Sequence, residues 1–219
     1  MQAIKTIAHF VIVFGFILGP ALGVDGQKEV DLNEKRFDVS AKDMTFREIL
    51  VQLAQKHDVP IGFYVSQSDE PASCRESVSL VLARARIAEV MTSLTAICPV
   101  YTWKIVANAV NVVPVARQDS LLDLIVHRVE VKDLTGQEIL DMLFELDEVK
   151  QGLAKSGLTR DTTIPFWFRE PSDRQRYTFS LENQKISDVL NYIIVNTDER
   201  SWIFYSLKSD PTLFSLRFF

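Results

Sequence analysis

Residues 36–55 read Arg36-Phe-Asp-Val-Ser-Ala-Lys-Asp-Met-Thr-Phe-Arg-Glu-Ile-Leu-Val-Gln-Leu-Ala-Gln55, and the hydrophobic period changes within them. Arg36 to Val39 alternate polar and apolar, the two-residue period of a strand with one buried face. From Phe46 the apolar positions become Phe46, Ile49, Leu50 and Leu53. That i, i+3, i+4, i+7 spacing gathers them on one side of a helix. Thr45 and Glu48 have the spacing of a capping box, in which each side chain satisfies the other's free backbone N–H, so the helix is expected to start there. A strand running into an amphipathic helix is the unit from which the rest of the chain is read.

The unit recurs. Ala85-Arg-Ile-Ala-Glu-Val-Met91, Leu134-Thr-Gly-Gln-Glu-Ile-Leu140 and Gln184-Lys-Ile-Ser-Asp-Val-Leu190 match Met44-Thr-Phe-Arg-Glu-Ile-Leu50 in pattern. Each has an acid at the fifth place, in the first helical turn, where the helix dipole favours negative charge. The apolar faces continue through Leu94, Leu143 and Ile193, and Thr135 with Glu138 repeats the capping box. Strand patterns precede the helices at Val78–Leu82, Val126–Val131 and Tyr177–Leu181. Others follow at Ile61–Val65, Tyr101–Val106, Ile164–Phe168 and Trp202–Tyr205, with Val110–Val113 and Leu213–Phe219 closing each half. Met91 and Leu190 each stand 12 residues before a tryptophan, Trp103 and Trp202. The reading is an α+β protein of two tandem βαβ–βαββ units, each with two helices packed on small sheets. The units are residues 30–116 and 121–219, joined by a linker at Ala116–Ser120. An insertion at about Glu145–Thr163 lengthens the second unit and has room for an extra helical turn.

Phe37, Asp38 and Ala41, followed by a helix and then Val59-Pro-Ile-Gly-Phe-Tyr64, resemble the opening of an STN domain. This is the short N-terminal, N0-like module of secretins and TonB-dependent receptors. Val78–Leu82, the helix ending at Leu94, Tyr101–Val106 and Val110-Asn-Val-Val-Pro114 fit the remainder of that pattern. The resemblance covers about residues 35–115 and extends to 125–219 only through the internal repeat. It implies a module that docks with envelope proteins: a secretin, a TonB-type receptor or a regulator. The ring or barrel that follows in that family is missing from this sequence, so pore formation and transport are not implied.

The chain has 219 residues and a net charge of −5, so it has no cation surplus with which to displace counterions from nucleic acid. Met1–Gly23 reads as a secretory signal peptide: Lys5, an apolar run from Phe10 to Leu18, the Gly19-Pro20 break, and small residues Ala21 and Gly23 before cleavage. The run is shorter than the roughly 20 residues of a membrane span, so the cleaved protein is expected to be exported and not integral to a membrane; the resemblance implies the periplasm, with outer-membrane association as an alternative.

Cys74 and Cys98 are the two cysteines. A helix returning antiparallel to its strand brings Cys98 beside Cys74, and in an oxidising compartment the pair is expected to form a disulfide. No catalytic residue, metal or cofactor is read from the sequence. His57 and His127 stand apart, without zinc spacing, and no Gly-x-Ser-x-Gly elbow is present. Asp141, Glu145, Asp147 and Glu148 read as a solvated helix face. Arg169, Arg174 and Arg176 read as ordinary surface, and Phe166-Trp167-Phe168 as a strand packing on the core. The expected function is non-enzymatic docking through an open strand edge at Phe37 and Val39. Alternatives are a small-ligand binder using the Trp167 region and a hydrolase using paired acids such as Asp141 and Glu145.

Overall fold

The computed structural model describes residues 31–66, 71–116, 121–161, 175–206, 210 and 212–218. The leader at 1–23, the strand at 164–168, Arg169 and Arg174 lie outside them. The first half contains β1 (Arg36–Met44), α1 (Phe46–His57), β2 (Ile61–Ser66), the short α2 (Ala72–Arg75), β3 (Val78–Arg86), α3 (Ile87–Ile97), β4 (Tyr101–Val106) and β5 (Ala109–Pro114). After a 3-10 turn at Leu121–Asp123 come β6 (Ile125–Leu134), α4 (Gly136–Glu145), α5 (Asp147–Ser156), β7 (Thr159–Arg160), β8 (Tyr177–Lys185), α6 (Ile186–Asn196), β9 (Ser201–Ser206) and β10 (Leu213–Phe218). The protein is α+β. The polar insertion holds a full ten-residue helix, α5, where the sequence reading allowed a single turn.

The helices start where the sequence places their caps. Thr45 and Thr135 each accept from the N–H of a glutamate three residues on, and each glutamate carboxylate accepts the threonine N–H. The buried faces of α1, α3, α4 and α6 are the four periodic sets, with Leu50, Met91, Leu140 and Leu190 all in the core. The strands before the helices run longer than their alternation indicates, because the chain stays extended up to each helix cap.

The repeat holds at the level of register. β1 pairs antiparallel with β3 through Val39↔Leu82, Ser40↔Val81, Ala41↔Leu80 and Met44↔Val78. β6 pairs antiparallel with β8 through Val129↔Leu181, Glu130↔Ser180, Val131↔Phe179 and Leu134↔Tyr177. Both ribbons carry the same bulge, with Asp43 and Asp133 each at φ 53°. A bulge residue in the left-handed region suits a short polar side chain. The N–H groups of these aspartates donate to matching hydroxyls, Ser79 Oγ at 3.3 Å and Thr178 Oγ1 at 3.0 Å. Arg84 and Asn183 are a second matched positive-φ pair, at 51° and 52°.

The remaining strands of both halves form one six-stranded sheet in the order β4-β5-β2-β9-β10-β7. In each half an antiparallel hairpin, β4–β5 or β9–β10, is followed by a parallel strand, β2 or β7. The halves join where β2 pairs parallel with β9 over six residues, Ile61↔Ser201 to Ser66↔Ser206. The order of roles is kept across this junction while strand direction reverses, so the second half is turned over relative to the first. Alternation then sends side chains to two cores on opposite faces. Ile61, Phe63, Val65 and Ile203 enter the first core, and Trp202, Phe204, Phe214 and Ala109 enter the second. Neither core is built from its own half alone.

Candidate functional site

Phe37 and Val39 lie on β1, whose only pairing among the described residues is with β3. Their side chains are 2% and 1% exposed, in the first core with Leu53 and Ile87. Phe37 meets the His57 ring edge-on at 6.1 Å, and Lys35 Nζ lies 5.5 Å from the Phe37 ring centre. The edge therefore offers its main chain and the exposed side chains of Asp38, Ser40 and Lys42, while the two residues named from sequence anchor the strand from beneath.

Cys74 and Cys98 are joined in a disulfide, with Cα atoms 5.0 Å apart and both residues almost fully buried. Cys98 caps the C-terminus of α3 and Cys74 lies in α2. The bridge thus ties the segment before β3 to the end of the helix after it. Such a bond is compatible with export. Among the described residues no helix is long and apolar enough to cross a membrane.

The candidate acids sit on two consecutive helices. Asp141 and Glu145 lie on α4, and Asp147 and Glu148 open α5. Asp141 pairs with Arg160 at 2.8 Å, Glu145 with Lys150 at 2.7 Å and Glu148 with His127 at 3.0 Å. The Glu148 carboxyl is held below its ordinary range, first by its own backbone N–H and then by His127. Among the described residues no group of three or more His, Cys, Asp or Glu side chains is placed to hold a metal. Arg176 is tied to its own ribbon, with Nε 3.1 Å from Asp133 Oδ1. Phe166, Trp167 and Phe168 lie outside the described residues.

Sequence reasoning missed the polar and steric contacts at the junction of the halves. Trp202, 1% exposed, donates from Nε1 to Asn191 Oδ1 at 3.0 Å. Its ring covers Gly62, where a Cβ would stand 2.2 Å from Cε2 and Cζ2. Tyr64 stacks on Phe204 at 4.9 Å, and Phe204 on Phe214 at 5.1 Å. On the other face a small apolar depression of about 10 Å³, room for little more than one water, is lined by Leu50, Val51, Ile61, Phe63, Ser201 and Ile203. Small-molecule sites usually occupy roughly 300–1,000 Å³. The two matched tryptophans were legible as a repeat signal, but the glycine beneath one of them was not. The geometry is that of strand edges and a packed junction between the halves. Comparison with family models, curated proteins and solved structures finds no match for this chain.

Proposed function

We propose that the protein is an exported, non-enzymatic interaction module that docks to an envelope protein of the secretin, TonB-type receptor or regulator class. The observation that carries this reading is the open side of β1, paired on one side only among the described residues. An extended segment can add to such an edge through main-chain hydrogen bonds, with its register set by exposed side chains. The buried disulfide and the signal-like leader support the compartment. The order βαβ–βαββ in each half supports the resemblance to secretin and TonB-receptor N-terminal domains.

The test is site-specific photo-crosslinking in intact cells, with the label at Ser40 on the exposed side of β1 and a control label at Lys155 on α5. A discrete envelope protein captured from Ser40 and absent from Lys155 is the expected result. Equal labelling from both positions, or retention of the protein in the cytoplasmic fraction, overturns the reading.

A further inference from the structure

We infer that the open edge of β4 is an acceptor for an extended partner strand running parallel to it, with a small residue opposite Trp103 and an acid opposite Lys104. This deepens the docking reading, and rests on it only for the setting in which the partner is met.

The template lies inside the chain. α3 and α6 begin at Ile87 and Ile186, so β4 corresponds to β9, with Trp103 matching Trp202, Lys104 matching Ile203 and Ile105 matching Phe204. The outer edge of β9 is occupied by β2. The outer edge of β4, at the end of the same sheet, pairs with nothing among the described residues. Burial follows occupancy. Asn191, Ile194, Trp202 and Phe204 are 1%, 0%, 1% and 2% exposed beside β2. Their counterparts Thr92, Thr95, Trp103 and Ile105 are exposed or half-buried. The seat that β2 fills beside β9 and under α6 is thus repeated beside β4 and under α3.

The main chain has the matching polarity. Val115 donates to the Val100 carbonyl at 2.8 Å, which fixes the alternation of the β4–β5 ladder. The N–H groups of Thr102, Lys104 and Val106 turn toward β5, leaving those of Trp103 and Ile105 aimed outward. At the filled seat the Ile61 N–H donates to the Arg200 carbonyl at 3.1 Å, and Tyr101 is the counterpart of Arg200.

The side chains define the occupant. Opposite Trp202 the seated strand carries Gly62, because the indole covers that position. Opposite Ile203 it carries Phe63 and opposite Phe204 it carries Tyr64. At β4 the apolar Ile203 is replaced by exposed Lys104, which has no ion pair among the described residues. A cross-strand acid there gains a charge pair in place of an apolar contact. The same lysine argues against a second copy pairing β4 on β4 about an axis at Lys104, which places two like charges directly opposite each other.

The test uses purified full-length protein, leader removed, and a blocked peptide copying residues 59–66 with Phe63→Glu. Backbone amide shifts are recorded during titration. Saturable shifts centred on β4 and the adjoining face of α3 are expected. A Gly62→Val change in the peptide should weaken binding about tenfold, since it overpacks the indole. Lys104→Glu in the protein should weaken binding about fivefold, and a Phe63→Lys peptide should restore it. Lys104 is exposed, so this variant folds as the parent does. Shifts centred on β1, indifference to both changes, absence of saturation up to about 1 mM peptide, or dimerisation of the protein alone through β4 overturns the inference. If the peptide binds as described and crosslinking finds no envelope protein, the docking reading falls and the edge stands. A crosslink at Ser40 with no response at β4 gives the reverse.

Discussion

His57 and Gly62 show how single residues carry the fold's constraints. The imidazole is held below its ordinary pKa first by desolvation, then by Lys56 and Lys35, against the opposing pull of Asp38. Its Nε2 is buried and has no hydrogen-bond partner among the described residues. Because the folded pKa is lower than the unfolded value, the unfolded chain binds this proton first. Stability is whole above about pH 6.5 and falls as pH drops through that value toward the folded pKa. Urea midpoints taken from pH 7 to 5 should decline in the parent, and His57→Gln should flatten that decline. The lowered carboxylates, such as Glu48 and Glu138, act only at more acidic pH. Tyr177 has the opposite sense. Burial, then its bond to Asp198, pushes the phenol up to about 12, so its contribution is present below pH 10 and is lost as pH rises through that range. Gly62→Ala puts a methyl into the Trp202 ring and should cost about 2–3 kcal/mol. Adding Trp202→Leu should recover part of that cost, a coupling measurable in a double-mutant cycle.

The elements most legible in the sequence were those whose signals are local. Thr45–Glu48 and Thr135–Glu138 announced two helix starts, and four apolar stripes announced four buried helix faces. β7 left no such trace: two residues have no period, and their pairing to β10 is set by tertiary contact. The ends of β1, β6 and β8 were also hidden, because exposed residues such as Lys42, Lys132 and Asn183 extend a strand that only its ribbon partner defines. At the edge, alternation marked Phe37 and Val39 as the apolar, buried face, and what an open edge presents beside its main chain is therefore the opposite set, Asp38, Ser40 and Lys42. The disulfide was legible because strand and helix return the chain to its starting end. It closes a loop with a sequence separation of 24 and ties α2 to the core. The double variant Cys74→Ala, Cys98→Ala should lose about 3 kcal/mol in urea unfolding. The far-UV dichroism should stay unchanged, since only the four-residue α2 depends on the bond. A loss near zero contradicts the staple role.

At the scale of the molecule, a duplicated sequence suggests two beads on a linker, whereas the structure is a shared sheet with a core on each face. The pairing of β2 with β9 joins positions far apart in sequence, so no local pattern announces it. Its energetic consequence is direct. Ile203 belongs to the first core, and Ala109 belongs to the second, against which Tyr64 also packs. Cutting the chain between the halves removes Ile203 from the first core, a loss of about 1.5–3 kcal/mol for one fully buried side chain. It also bares the β2 edge over six residues and leaves Trp202 without Gly62 beneath it. The full chain should therefore unfold in one transition, with tryptophan fluorescence and far-UV dichroism coincident across urea. A fragment of residues 31–116 should be less stable than that transition implies and should self-associate through the exposed edge of β2. Two separated transitions, or a fragment that stays monomeric at the stability of the parent, would show that the halves fold alone. The junction would then be an ornament of the duplication and not its structural centre.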